Sequence, residues 1–164
     1  MEYIYVGKIV NTHGIKGELR IISEFKYKEN IFKENFKLYI GKDKKEMIIK
    51  NYRKHKIYDM VLFYDISDIN DVLQYKNELV YINKEDIKID GYFDEDIIGL
   101  EVYSKDKKIG IVTDILKSKA HEILEIKDNG KKYLVPNIKE FIETIDLENK
   151  KININEIEGL IDEN

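Results

Sequence analysis

Residues 6–21 read VGKIVNTHGIKGELRI, and this stretch decides how the front of the chain folds. A β-branched, apolar segment precedes Gly14 and Gly17, and the alternating segment ELRII follows them. A nucleotide-binding loop requires G-x-x-x-x-G-K-[ST] or G-x-G-x-x-G before a helix, and neither pattern is present here. We therefore interpret the two glycines as turn residues that supply positive φ between two strands.

Short strand patterns dominate the rest of the chain. Segments rich in β-branched and aromatic residues, separated by turn residues, recur from the first residues to position 155. Ser67 precedes the one helical pattern, DINDVLQYK, and is its expected cap. Asp128-Asn129-Gly130 predicts a tight hairpin, and Pro136 predicts an edge strand or a bend. The fold class predicted is mainly β, with two small antiparallel β-barrels in series and one short helix.

A polar and charged stretch, NKEDIKIDGYFDED, separates two groups of strand patterns. Composition shifts of this kind mark domain boundaries. We expect a first barrel over residues 1–84, a linker over 85–95 and a second barrel over 96–164.

Charge is distributed unevenly along the chain. Residues 1–56 hold 14 Lys and Arg against 7 Asp and Glu, whereas residues 57–164 hold 14 against 25. A basic front half attracts polyphosphate, and an acidic back half suits a basic protein. The alternative is that charge varies along the surface without functional meaning, and composition alone does not decide between the two accounts.

Several classes of site are disfavoured by what the sequence lacks. The chain has no cysteine, which excludes disulfides and thiolate metal sites. Its three histidines do not have metal-ligand spacing, and we expect no metal or cofactor. No G-x-S-x-G is present, and the acids of DGYFDEDIIG are better explained as an acidic linker, so we expect no enzyme. No apolar run approaches a membrane span and no signal peptide opens the chain, which predicts a cytoplasmic location.

Two groups of cations are candidates for phosphate contact. His13, Lys16 and Arg20 gather at the glycine turn, and the backbone role of the glycines does not explain them. The second group, Arg53 and His55, lies in YRKHKIY over residues 52–58.

Strand alternation would place Arg53 and His55 on one face of this segment and Tyr52 and Lys54 on the other. Cations contact phosphates while aromatic rings stack on bases. A solvated strand end and turn is the alternative.

Tyr92 and Phe93 form an aromatic pair within the polar stretch. Exposed aromatic residues often anchor a partner protein. The alternative is that the two rings fasten the linker to a barrel, and physical reasoning alone does not choose between these accounts.

Together these segments resemble the bacterial ribosome maturation factor RimM family. The resemblance runs through essentially the whole chain, in VGKIVNTHGIKGELRI (6–21), residues 52–82, YFDEDIIGLEVY (92–103) and residues 133–162, which include IDLE (145–148) and EGL (158–160). The chain departs from the family pattern at Asp71-Val72, at Asn77, at Ile157 and at Phe93, where the family usually has a second tyrosine.

The resemblance implies a translation-factor-like barrel followed by a PRC-type barrel. It also implies a non-enzymatic assembly factor that binds the immature small ribosomal subunit near its head, contacts the head protein S-nineteen and supports rRNA processing. We expect rRNA or ribosome contacts at His13, Lys16, Arg20, Arg53 and His55, partner contacts at Tyr92 and Phe93, no membrane partner and a monomer. A general RNA-binding module without ribosome specificity is the main alternative, and a hydrolase using the Asp94 and Asp96 acids is a weaker one.

Overall fold

The computed structural model describes residues 1–155, and the chain divides into two compact units. The first unit ends at Asp90 and the second begins at Gly91. The EGL pattern and Ile157 lie outside the described residues. Within residues 1–155, no helix has both the length and the apolar character needed to cross a membrane.

The first unit is a closed barrel of six strands. They are β1 (Tyr3–His13), β2 (Glu18–Ile22), β3 (Lys37–Ile40), β4 (Lys45–His55), β5 (Tyr58–Phe63) and β6 (Leu79–Asn83). The strand order is β1-β2-β5-β4-β3-β6, and every neighbouring pair is antiparallel. Inward-facing apolar side chains fill the interior, including Ile9, Leu19, Ile21, Ile49, Val61 and Ile82, each 0% exposed.

Bulges redirect the two longest strands of this barrel. The register of β1 shifts between Ile9 and Asn11, and that of β4 shifts between Ile49 and Asn51. A bulge bends a strand and strengthens its local twist. The parts of β1 and β4 that follow these bulges carry His13, Arg53 and His55.

The second unit is a six-stranded sheet. Its strands are β7 (Glu101–Ser104), β8 (Lys107–Lys117), β9 (Glu122–Asp128), β10 (Lys131–Pro136), β11 (Ile142–Asp146) and β12 (Lys151–Ile154), in the order β10-β9-β8-β7-β12-β11. A single apolar cluster that includes Ile97, Val102, Leu124 and Ile152 forms the core. The predicted mainly β fold of two units in series is confirmed.

Two turn predictions for the second unit are also confirmed. Asn129 and Gly130 have φ of 45° and 85° and join β9 to β10, and Pro136 ends the edge strand β10. One pairing differs from the antiparallel expectation, since β12 runs parallel to β7. Several other strands lie between these two in the sequence, so no hairpin turn dictates their relative direction.

The prediction of one continuous helix over residues 68–76 is wrong. Two 3-10 turns, Ile69–Asp71 and Leu73–Tyr75, occupy this stretch and meet at Val72, whose φ of −123° is not helical. The cap is Asp68, whose carboxylate accepts from the Asn70 N–H at 2.7 Å. The described residues contain two α-helical turns that the sequence did not indicate, α1 (Lys28–Ile31) and α2 (Asp94–Ile97).

The turn between β1 and β2 is fastened to these 3-10 turns. The carbonyl of Ile15 accepts from the Ile69 N–H at 2.9 Å. Gly17 has φ of +94°, and a Cβ there would lie 2.6 Å from the Ile66 side chain and 2.9 Å from the Asp68 carbonyl oxygen. Gly14 has φ of +75°, but a Cβ there would meet open space.

These two glycines give a matched pair of substitutions. Gly14→Ala introduces only left-handed backbone strain, and we expect it to lower the free energy of unfolding by about 1 kcal/mol. Gly17→Ala adds a clash with backbone, and we expect a loss of about 2–5 kcal/mol. Urea denaturation monitored by circular dichroism measures both. Equal losses would show that the tip is not packed against residues 66–69.

Candidate functional site

All five predicted cations lie at one end of the first unit. β1, β2, β5 and β4 are consecutive neighbours in the barrel, and His13 pairs with Glu18 while His55 pairs with Tyr58. Directly opposed residues of antiparallel strands point to the same face. We call His13, Lys16, Glu18, Arg20, Arg53, His55 and Tyr58 the basic cluster.

Arg20 lies at the centre of the basic cluster. Its Nη2 donates to Nδ1 of His13 at 2.7 Å, and its guanidinium carbon lies 5.4 Å from the centroid of the Tyr58 ring. The rings of His13 and His55 lie 6.2 Å apart. Because arginine has no acceptor, this hydrogen bond requires an unprotonated Nδ1 on His13.

Arg53 forms a two-point ion pair with Glu18. Its Nε donates to Oε2 at 2.8 Å and its Nη2 donates to Oε1 at 2.7 Å. The hydrogen bond from Arg53 lowers the pKa of Glu18, burial opposes this effect, and the charge of Arg53 reinforces it. Parallel hydrogen bonds of this kind hold both side chains in a defined geometry. The pair therefore connects β2 to β4 across the intervening β5.

Lys16 stands apart from these contacts, at the exposed tip of the turn. It lines a groove of about 420 Å³ together with His13, Ile15, Glu18 and Arg53. Ile15 is 81% exposed. The sequence prediction omitted Ile15, Glu18 and Tyr58, although an isoleucine between two turn glycines is itself a signal of an exposed apolar tip.

The opposite face of residues 52–58 has a different character. The Tyr52 hydroxyl donates to Asp59 at 2.7 Å, and Lys54 Nζ lies 3.6 Å from the same carboxylate. Burial raises the pKa of Tyr52, and the hydrogen bond to Asp59 raises it further. The predicted division of Tyr52 and Lys54 from Arg53 and His55 is therefore confirmed.

The aromatic pair of the second unit lies just before α2. Phe93 is 8% exposed, and Asp96 accepts from its backbone N–H at 3.3 Å. Tyr92 is half-buried against the core, and its hydroxyl accepts from the side-chain amide of Asn137. Tyr92 thus fastens the start of the second unit to its own core, and Phe93 is buried. Their role as partner contacts stays a prediction.

Comparison with known proteins places both units in one family. A family model described as the RimM N-terminal domain matches residues 4–87, and one described as the RimM PRC barrel domain matches residues 94–160. The chain belongs to the RimM family.

Curated RimM proteins match over nearly their whole length. The chain is 37% identical to the ribosome maturation factor RimM of Finegoldia magna, over 98% of this chain and 100% of that protein. It is 40% identical to the ribosome maturation factor RimM of Ligilactobacillus salivarius, over 98% and 99%. A solved structure described as a putative 16S ribosomal RNA processing protein RimM from Pseudomonas aeruginosa is also similar. The match covers 95% of this chain and 98% of that one, with 17% identity and a TM-score of 0.48.

The residues predicted for the two candidate sites fall differently with respect to the matched ranges. The basic cluster lies within the range of the RimM N-terminal domain. Tyr92 and Phe93 lie between the two matched ranges, next to the start of the RimM PRC barrel domain.

The Glu18–Arg53 pair predicts a pH-dependent stability. The pKa of Glu18 is lowered in the folded chain, so its ionised form stabilises the fold above the ordinary value of 4.5, and this contribution is lost as pH falls through the native value. We expect Glu18→Gln to be less stable than wild type near pH 7 and to converge with it under strongly acidic conditions. Urea midpoints measured across this range test the prediction, and a pH-independent difference would contradict it.

Proposed function

We propose that this RimM-family protein acts in ribosome maturation by binding the immature small ribosomal subunit near its head. In this proposal it contacts rRNA and the head protein S-nineteen, and it supports rRNA processing in the cytoplasm. Full-length similarity to curated proteins named ribosome maturation factor RimM supports the role in ribosome maturation. The surfaces of the two units support the proposed points of contact.

The observation that carries the rRNA contact is the preorganised basic cluster. Arg20 is positioned by His13 and Tyr58, and Arg53 is positioned by Glu18. Side chains already held in place lose less conformational freedom when they bind phosphate. Lys16 adds a further charge at the exposed tip of the turn. Contacts with phosphates fix position and orientation on RNA without reading its sequence.

The second unit suits a basic protein partner. Residues 91–164 hold 17 Asp and Glu against 11 Lys and Arg. Opposite charges guide association and suppress wrong partners. We assign the direct contact to Tyr92, which keeps part of its ring accessible, and we assign to Phe93 the support of Tyr92 from within the fold.

No covalent step is needed for this role. A factor that binds one conformation of the immature subunit more tightly than another shifts the population toward the preferred one. The described side chains of the basic cluster form ion pairs and hydrogen bonds that suit binding in this way.

Removal of cations from the basic cluster should weaken binding to immature subunits. We expect the Lys16→Gln/Arg20→Gln double variant to sediment less with purified immature small subunits. The slope of log affinity against log salt concentration should fall by about 1 for each phosphate that the variant no longer neutralises. The Lys107→Gln/Lys131→Gln double variant, which removes two charges from exposed positions of the second unit, is the matched control and should bind like wild type. Thermal melting establishes that each variant is folded.

Two results would contradict the proposal. The first is a folded wild-type protein that does not sediment with immature subunits. The second is a competition result in which unrelated RNA displaces the protein from immature subunits as effectively as free immature subunits do. That result would favour a general RNA-binding module.

A further inference from the structure

A second groove lies on the face of residues 52–58 opposite the basic cluster. Its volume is about 730 Å³, and Tyr52, Lys54 and Asp59 form one side of it. Phe25, Tyr27 and Lys28, which belong to α1 and the segment before it, line the groove as well. We call it the aromatic groove.

We propose that the aromatic groove binds an unpaired base of single-stranded RNA, with the neighbouring phosphates at the lysines on its rim. This inference rests on the proposed function and adds to it a site and a class of RNA. Nucleic-acid-binding proteins commonly combine rings that stack on bases with cations that follow the backbone.

The rings of the groove form two ordered pairs. Phe25 and Tyr27 pack edge to face, with centroids 5.9 Å apart and planes at 74°. Phe32 and Tyr52 are stacked, with centroids 5.9 Å apart and planes at 15°. Phe32 is 4% exposed, whereas Phe25, Tyr27 and Tyr52 are half-buried. The three half-buried rings therefore offer accessible aromatic surface on a fixed support.

Asp59 also lines the groove, and the negative charge of its buried carboxylate is neutralised by a lysine. It is 1% exposed, Lys28 Nζ lies 2.9 Å from Oδ2, and Tyr52 donates to Oδ1 at 2.7 Å. A buried carboxylate without partners would repel RNA and destabilise the fold. Here its charge is balanced within the groove, so it does not oppose a phosphate at the rim.

The charge of the lining favours RNA over an acidic or neutral partner surface. Three lysines, Lys26, Lys28 and Lys54, face two acids, Asp59 and Glu29, which leaves one net positive charge. The side chain of Lys54 is 50% exposed, so it remains accessible to solvent at the rim. The whole front segment, residues 1–56, carries the same sign in excess.

The aromatic groove and the basic cluster lie on the two sides of one hairpin. Residues 52–58 present Arg53 and His55 to one side and Tyr52 and Lys54 to the other. A single RNA strand that crosses this hairpin would place phosphates at the cluster and a base in the groove. A folded duplex cannot do this, because its bases are already stacked and paired.

Short RNA oligonucleotides test the inference directly. The probes are fluorescein-labelled homopolymers of about ten nucleotides, each measured by anisotropy as a single strand and as a duplex. We expect wild type to bind single strands more tightly than duplexes. Phe25→Leu and Tyr27→Leu keep apolar bulk but remove a ring, and each should weaken single-strand binding on the order of tenfold. Tyr27→Phe keeps the ring and should bind within about twofold of wild type.

The same variants are then sedimented with immature small subunits. If wild type binds subunits but the two leucine variants bind single-stranded RNA as tightly as wild type, the inference fails and the proposed function stands. If the leucine variants lose subunit binding while no single-stranded probe binds wild type, the groove holds a protein and the inference is overturned. If wild type does not bind subunits at all, the proposed function itself fails.

Discussion

The buried carboxylate of Asp59 is the constraint on which both candidate surfaces of the first unit depend. It is 1% exposed, and it is held by the Tyr52 hydroxyl on β4 and by Lys28 in α1. Removal of one partner from a buried charge leaves an uncompensated charge, which costs far more than a surface ion pair contributes. Asp59 therefore requires β4, β5 and α1 to keep one arrangement. That arrangement gives the hairpin of residues 52–58 its two distinct faces.

The two faces are held by different physical means. On one face, Arg53 and Glu18 connect β4 to β2, and Arg20 joins His13 to Tyr58. On the other face, ring packing among Phe32, Tyr52 and their neighbours surrounds the balanced charge of Asp59. Successive side chains of a β-strand point to opposite faces, and this alternation alone separates the two environments. Phosphate contact and base stacking can thus be served by one hairpin of one RimM-family domain.

Local patterns predicted a large part of this structure. The positive φ of Asn129 and Gly130 follows from residue type, and so does the alternation of side chains over residues 52–55. The Glu18–Arg53 pair joins residues 35 positions apart, and Asp59 meets Lys28 across a similar separation, so neither contact has a local signature. The parallel β7–β12 pairing and the burial of Phe93 likewise depend on how distant segments pack. Local patterns therefore predicted turns and strand faces, whereas the contacts that hold the candidate residues in place depend on tertiary packing.

The most direct test of the central claim is amide hydrogen exchange of the protein alone and bound to immature small subunits. The account predicts that binding slows exchange in the turn between β1 and β2, in residues 52–58 and in the segment that carries Phe25 and Tyr27. It also predicts that Asp59→Asn, which removes the ion pair with Lys28, reduces this protection on both faces of the hairpin together. Protection confined to the second unit, with residues 52–58 unchanged on binding, would contradict it.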